Sequence, residues 1–377
     1  MHSMDIRNNL ALLRTKRGLG ASQLAAEIGI SRQTVYAIEA GTYVPNTAVS
    51  LKLARVLDAT VEEIFQIDPE LPASAETAEA IVLGGMEPAL PGQLLRLCRV
   101  NGHLVAIPPE PGGWGLQAMD AVLLTPIRNG KQNSRAKVKI LGNSWDHAAR
   151  ILIAGCDPST SILANALQRQ GCELVIDYEN STRSLELLQE GLVHIAGTHL
   201  VDKVTGKTDL LPVTKIFPRS SIAIISYAMW QEGLVVVRGN PKKIVNIADL
   251  ARKGVHIVNR EPGAGCRRLL DDMLREHDIP SSQVKGYEQV IAGHFPAARM
   301  VQSGAADCCI STEAVARSLG LDFIPLAEKP YHLVIRRAQL DLPPIQTLCE
   351  TLGHSSFRNE VEICTGYNMH TAGDRLV

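Results

Sequence analysis

The chain has almost no net charge, no long apolar run and no paired-cysteine motif, and each absence removes a class of protein. Lys and Arg number 38 against 39 Asp and Glu, a formal net charge of −1 at pH 7. No overall basic field therefore holds the chain on nucleic acid, and any attraction to DNA must be local. No run approaches the roughly 18 uninterrupted apolar residues of a membrane span, and the amino-terminal MHSMDIRNNL is polar and lacks the apolar stretch of a secretory signal. The expectation is a cytoplasmic protein with no membrane partner. The eight cysteines are scattered apart from the adjacent Cys308 and Cys309, with neither a CxxC pair nor a zinc-ribbon spacing. In a reducing compartment they read as small buried hydrophobes. His194 and His199, five apart across a glycine, read as two satisfied polar residues rather than ligands. Nucleophile-base pairs, metal sets and a phosphate-binding P-loop are all missing, and His294 near a loop is too thin a basis for catalysis. Neither an enzymatic activity nor a cofactor is expected.

At 377 residues the chain is long enough for two or three domains, each with its own core. The stretch from Ala21 to Gly41, ASQLAAEIGISRQTVYAIEAG, reads as two short helices broken at Gly29. Ala25 is small where the helices cross, and Gly29 can take the positive φ that the turn needs. Leu24, Ile28, Ile30, Val35 and Ile38 supply the apolar stripe of a small core. Ser31 is placed to N-cap the second helix, which leaves Arg32, Gln33 and Thr34 in its first exposed turn. A recognition helix pushes such residues into the major groove, where Gln pairs with adenine and Arg with guanine. The expected DNA-contacting set is Gln23, Ser31, Arg32, Gln33, Thr34 and Tyr36, with Gln23 touching a phosphate. Arg14, Lys16 and Arg17 supply local positive charge.

From Ile6 to Ile67, including ALLRTKRGLG and LKLARVLDATVEEIFQI, the chain resembles the helix-turn-helix of the Xre and phage-repressor type. That resemblance implies a double-stranded DNA operator as partner and a structural role for Glu39. The domain is set at 1–67, with helical spacing from Asn46 to Ile67. Residues 68–80, DPELPASAETAEA, read as a linker. Short apolar runs between 81 and 145, divided at Asn101-Gly102, Pro111 to Gly113 and Asn129-Gly130, read as a small β-rich connector, a spacer or dimerisation element.

From about 146 to 377 a strand-then-helix rhythm implies β-α units with helices packed on a sheet. Two such halves, with a late return to the first, describe a two-lobed binding domain. Lobe 1 takes about 146–230 and 326–377, and lobe 2 about 231–325, with a cleft between them. Ser, Thr and Gly stand where helices open, and free backbone N–H groups there make an anion site without formal charge. Each of these hydroxyls can equally be a plain N-cap. Arg267 can add charge or pair with Asp271.

The pieces GCDPS at 155–159, NSTRSLELLQEGLVHIAGTHLVD at 180–202, NREPGAGCRRLLD at 259–271, SGAADCCIS at 303–311 and GYN at 366–368 resemble the type II periplasmic-binding-protein-like domain related to molybdate-binding proteins. The fold class expected is therefore multidomain: an all-α helix-turn-helix head, a β-rich connector and a two-lobed α/β sensor. The candidate ligand residues are Asp157, Ser159, Ser181, Thr182, Thr198, Gly265, Cys266, Arg267, His294 and Ser311. The resemblance implies a transcriptional regulator whose effector is a tetrahedral oxyanion such as molybdate or tungstate. Cys266 departs from the Thr or Ser usual in its loop, and Cys308 and Cys309 replace small residues. A thiol at a helix N-terminus near Arg267 is expected to have a lowered pKa, which opens a second reading, a thiol-based redox or metalloid sensor. In the first reading, lobe closure on a small anion changes the spacing of two heads in a homodimer, whose half-sites lie about 34 Å apart.

Overall fold

Gly29 adopts φ +77° and turns the chain between two eight-residue helices, α2 (Ala21–Ile28) and α3 (Arg32–Glu39). Leu24, Ala25, Ile28, Val35 and Ile38 are all buried, so the stripe of the sequence is the core of a small helical unit. Leu10 from α1 (Leu10–Lys16), Leu53 and Leu57 from α4 (Thr47–Leu57) and Ile64 from α5 (Val61–Ile64) complete it. Ser31, Asn46 and Thr60 each accept a hydrogen bond from a first-turn backbone N–H; such caps stabilise a helix by about 1 kcal/mol each. The helix expected over 46–67 stops short. After Ile64 the backbone becomes extended, and β2 (Phe65–Ile67) pairs antiparallel with β1 (Ile6–Asn8). One turn of helix makes few internal hydrogen bonds, whereas the ribbon pairs the backbone of both chain ends.

The structure is a computed structural model of the full chain and describes residues 6–67, 77–84, 89–109, 119–127, 133–141, 149–199, 211–364 and 366–377. Residues 68–76 of the expected linker, and the turns expected at Pro111 to Gly113 and Asn129-Gly130, lie outside the described residues. The helical head forms one unit, within Met1–Glu76, and Thr77–Val377 forms another.

The second unit opens with a closed five-stranded barrel, ordered β3-β5-β4-β6-β7. Its strands are β3 (Thr77–Val82), β4 (Leu94–Val100), β5 (His103–Ile107), β6 (Ala121–Leu123) and β7 (Ser134–Ile140). β3 takes in Thr77 to Ala80, which had the composition of a linker and lie in the barrel instead. Strict alternation explains the closure: in β7 Ala136, Val138 and Ile140 point inward while Lys137 and Lys139 stay exposed. Cys98, Val100, Val105 and Ile107 face the other way and share a core with Leu152, Val175 and Leu188 of the next domain. Arg150 fastens the joint, donating to the Leu97 carbonyl at 2.7 Å and to Asp120 at 2.8 Å while pairing with Glu173. The connector is thus built onto the sensor fold.

That fold centres on a seven-stranded sheet ordered β14-β11-β15-β10-β8-β9, with β16 (Tyr367–Asn368) beside β11. The parallel core β8 (Arg150–Gly155), β9 (Glu173–Tyr178) and β10 (Ile195–Thr198) alternates with α6 (Thr160–Gln168) and α7 (Ser181–Glu190), and the short α8 (Leu211–Ile216) comes next. Two fifteen-residue strands, β11 (Ile222–Val236) and β15 (Asp322–Arg336), then run antiparallel through both lobes. Their register slips twice, between Ser226 and Ala228 and between Glu232 and Gly233. From Glu232 onward β11 pairs with β14 (Cys308–Thr312) of lobe 2, whereas the far end of β15 reaches β10 of lobe 1. GLVVVRG is therefore not a strand of its own but the end of β11; Gln231 and Glu232 interrupt the apolar pattern there, while the backbone ladder continues through them. Lobe 2 adds β12 (Asn259–Arg260), α9 (Gly265–Glu276), β13 (Val290–Ile291), α10 (His294–Gln302) and α11 (Glu313–Ser318), while α12 (Pro343–Gly353) and α13 (Ser355–Glu362) return to pack in lobe 1.

Candidate functional site

On the head, the first turn of α3 is exposed where a groove-reading helix needs it to be. Gln33, Arg32 and Tyr36 are exposed, as is Gln23 at the start of α2. The Arg32 guanidinium lies 5.3 Å from the Tyr36 ring centroid and donates to its hydroxyl at 2.9 Å, which holds both side chains on the outer face. Ser31 Oγ accepts from Thr34 N at 3.0 Å and lies 2.8 Å from Thr34 Oγ1, so these two hydroxyls are committed to the cap. Arg14 is not available for DNA. Its Nε lies 2.7 Å from Glu39 Oε1 with both side chains largely buried, and its Nη1 donates to the Leu19 carbonyl. That pair ties α1 to α3. Arg17 is paired with Asp58, whereas Lys16 is exposed.

The second concentration of polar groups lies at the seam between the lobes. Lobe 1 brings Cys156 beyond β8, Ser181 at the start of α7, and Thr198 and His199 at the end of β10. β11 carries Trp230 and Glu232 across. Lobe 2 brings Arg260 at the end of β12, Cys266 in the first turn of α9, His294 opening α10, and Ser311 on β14. Strand ends and helix starts from both halves meet here because β-α units place them on the same side of a sheet.

His199 is the hub of this seam. Its backbone N–H donates to Ser181 Oγ at 3.2 Å, and its Nδ1 lies 3.1 Å from the same oxygen and 3.7 Å from Cys156 Sγ. With the Ser181 hydroxyl donating to Nδ1, the ring proton is assigned to Nε2, the nitrogen that faces Glu232 Oε1. A Cβ at Gly265 would collide with this imidazole, so only glycine lets α9 rest against lobe 1. The expected cleft is therefore sealed at this point by lobe-to-lobe contact. Trp230 lies between the two imidazoles, with ring centroids 5.3 Å from His199 and 5.6 Å from His294. His294 Nδ1 lies 3.1 Å from Ser311 Oγ and 3.9 Å from Cys266 Sγ, and the Cys266 thiol donates to Glu232 Oε1 at 3.6 Å.

Electrostatics follow from burial. His199 is pushed down to about 3 by desolvation together with the charges of Arg260, Arg268 and Lys329, and His294 well below the usual histidine range by desolvation, Arg260 and His199. Both rings are neutral. Glu232 is raised by desolvation, against the lowering influence of Lys329, the Cys266 hydrogen bond and Arg260. The 3.8 Å approach of His199 Nε2 to Glu232 Oε1 is accordingly a polar contact and not an ion pair. Arg260 keeps its charge through two hydrogen bonds to Glu261, at 2.9 and 3.0 Å. Five atoms of the seam are buried without a hydrogen-bond partner among the described residues: Thr198 Oγ1, His199 Nε2, Trp230 Nε1, Arg260 Nη1 and Glu232 Oε2.

Several residues expected at the ligand site fall elsewhere, or carry the opposite chemistry. Thr182 is exposed, because Asn180 and not Thr182 caps α7. Arg267 is taken up by lobe 2 itself, lying 4.1 Å from the Tyr287 centroid and 3.3 Å from Asp271. Asp157 and Ser159 form a cluster inside lobe 1: Asp157 Oδ1 accepts from Ser159 N, Ser159 Oγ and Tyr367 OH. Desolvation still lifts Asp157 to about 6. The thiol of Cys266 is raised, not lowered. Desolvation leads and Glu232 adds to it, outweighing Arg260, while burial raises Cys308 and Cys309 as well. Thiolate chemistry is disfavoured at all three. His194 is a satisfied core residue, accepting from Leu152 N at 3.0 Å, but His199 is not. Arg260, Trp230, Glu232 and Cys156 do not stand out in the sequence as site residues. The available signal is a charged or donor-bearing residue inside an otherwise apolar strand, as in YAMWQEGLVVV and VHIVNR.

A model of the PBP superfamily domain matches residues 164–353, half of the chain. The chain belongs to the PBP superfamily. A helix-turn-helix family model matches residues 10–64, so this PBP-superfamily chain joins a helix-turn-helix head to a fold whose business is binding. It is 31% identical over 229 residues to the uncharacterized protein YvgK of Bacillus subtilis, covering 60% of this chain and 74% of that protein. The head is 34% identical over 65 residues to YgzD, an uncharacterized HTH-type transcriptional regulator of the same organism, covering 17% of this chain and 98% of that one. Among solved structures, Peb3 from Campylobacter jejuni superposes with a TM-score of 0.42 at 15% identity, covering 58% of this chain and all of that one.

Proposed function

We propose that the chain is a cytoplasmic, ligand-responsive transcriptional regulator that binds a DNA operator as a homodimer and senses a small anion between the lobes of its PBP-like domain. The observation that carries the sensor part is the set of donors at the seam. Arg260 Nη1, Trp230 Nε1, His199 Nε2 and Thr198 Oγ1 are buried and unpartnered among the described residues, and they come from both lobes. A buried polar group without a partner costs about 1–3 kcal/mol, so a small oxyanion that satisfies several at once is held by contacts that exist only when the lobes meet around it. Tetrahedral oxyanions of the molybdate and tungstate kind, and related small solutes, are the effector class in view.

Separation of the lobes along β11 and β15 admits the anion, and closure shifts the population toward one arrangement. In a dimer that closure changes how the two heads address half-sites about 34 Å apart, and a change of a few ångströms spoils simultaneous docking. The test is thermal unfolding of the full chain with sulfate, phosphate, molybdate, tungstate and small carboxylates. An anion present at about 100 times its Kd stabilises the folded state by about 2.7 kcal/mol. Arg260→Ala abolishes the shift while leaving DNA binding by the head intact. If no anion raises the melting temperature, or if Arg260→Ala responds like the wild type, the reading fails.

A further inference from the structure

The head is short of the charge that holds a protein on DNA. Residues 1–67 carry seven Lys and Arg against six Asp and Glu, and three of the seven are engaged within the head: Arg14 with Glu39, Arg17 with Asp58, and Lys52 with the Ile28 carbonyl. Phosphate contacts supply essentially all of a protein's sequence-independent affinity for DNA, so a head this close to neutral grips weakly by itself. The barrel carries the larger surplus. Residues 77–141 hold seven Lys and Arg against four Asp and Glu, and three of those cations stand in one row. Arg135, Lys137 and Lys139 are the exposed residues of β7, alternating with the buried Ala136, Val138 and Ile140.

Alternation sets the three side chains on one face of the strand, in a row about 14 Å long. The neighbouring strands leave that row open. β3 places Thr77, Glu79 and Ile81 opposite it, and β6 places Val122. Glu79 is the one carboxylate among these, and it lies 3.7 Å from Arg135 with both side chains more than half exposed, where solvent screens the pair. Lys137 and Lys139 pair with no carboxylate among the described residues. Duplex DNA carries one negative charge for about every 1.7 Å of its axis, so a row of this length spans several phosphates. Ten peptide steps join Ile67 to Thr77, the partner of Lys139. A chain of that length reaches at most about 35 Å, which keeps the row at high local concentration around any DNA the head holds. Resting on the DNA-binding half of the reading above, we infer that the outer face of β7 is a second DNA contact, with Arg135, Lys137 and Lys139 on phosphates of the duplex whose bases α3 reads. Such contacts position a protein and carry no sequence information, so the row adds affinity while the recognition helix adds choice.

The test is fluorescence anisotropy of the full chain on a DNA sequence selected by it, repeated from about 50 to 200 mM KCl. Each phosphate contact contributes about 0.9 to the slope of log affinity against log salt. Lys137→Gln/Lys139→Gln is expected to flatten that slope by about 1.8 and to weaken binding about tenfold near 0.1 M salt, on the selected and on an unrelated sequence alike. Lys253→Gln/Lys285→Gln, which removes the same charge from exposed positions of lobe 2, is expected to leave the slope as in wild type. An unchanged slope in the β7 variant overturns the inference while the helix-turn-helix reading stands. Equal flattening by the lobe 2 pair overturns it too, since the effect is then one of net charge. If the wild type binds no DNA, both readings fall. Loss of binding to phosphatidylglycerol vesicles in the β7 variant, with its DNA binding untouched, gives the row to a membrane surface and likewise overturns the inference.

Discussion

Cys266 shows how a single residue can be read correctly for place and wrongly for chemistry. Its loop and its position at the start of α9 are legible in the sequence, and a helix N-terminus beside arginines suggests a reactive thiolate. Desolvation reverses that suggestion, and desolvation is a property of the packed lobes that no local pattern reveals. Cys266→Ser is therefore expected to preserve any anion response, and N-ethylmaleimide near neutral pH to label Cys266 in the folded chain far more slowly than a free thiol. Rapid labelling that abolishes the response would restore the thiol reading. His194 offers a test in pH. Its Nδ1 accepts from the Leu152 amide and burial pushes it down to about 4, while an unfolded histidine titrates near 6.5. Because the folded state binds fewer protons in that window, its contribution is present above about pH 6.5 and is lost as pH falls toward 4, about 3 kcal/mol in all. His194→Gln, which keeps an acceptor oxygen, is expected to flatten the fall of melting temperature between about pH 6.5 and 4, and an unchanged slope would contradict the assignment.

At the scale of elements, α2 and α3 are legible because everything they need is local: a glycine at the turn, a cap, an apolar stripe at helical spacing. β11 is half legible. Its last residues form a continuous apolar run and stand out, but its passage through Gln231 and Glu232 depends on pairing with β15, about 100 residues away in sequence, and no local signal encodes that. The same holds for the seam. Ser181, Thr198, Gly265, His294 and Ser311 come together there, whereas Arg260, Trp230 and Glu232 cannot be ranked without knowing which strand ends meet. Gln33→Ala on α3 is expected to weaken binding to a selected DNA sequence about tenfold, the lower end of what a bidentate base contact supplies, with stability within about 0.5 kcal/mol of wild type. Equal DNA affinity would remove Gln33 from the reading face. Arg150→Ala tests the joint between barrel and sensor. Its guanidinium is buried against Asp120 and the Leu97 carbonyl, while its other partner, Glu173, is more than a third exposed. Discounting the latter for solvent screening, a loss of about 2–4 kcal/mol in urea unfolding is expected. A loss below about 1 kcal/mol would mean that the shared apolar core alone holds the joint.

For the whole molecule, a helix-turn-helix head and a two-lobed binding fold in one chain make a regulator only if occupancy of the seam changes the hold on DNA. Among the described residues no helix is long and apolar enough to cross a membrane. The closing measurement is fluorescence anisotropy of the full chain on a DNA sequence selected by it from a random pool, with and without a saturating concentration of the anion that binds most tightly. A change of about 5–150-fold in DNA affinity is expected, the range that coupling between two sites ordinarily spans. It should be present in the wild type and absent in Arg260→Ala. Tight anion binding that leaves DNA affinity unchanged would contradict the account.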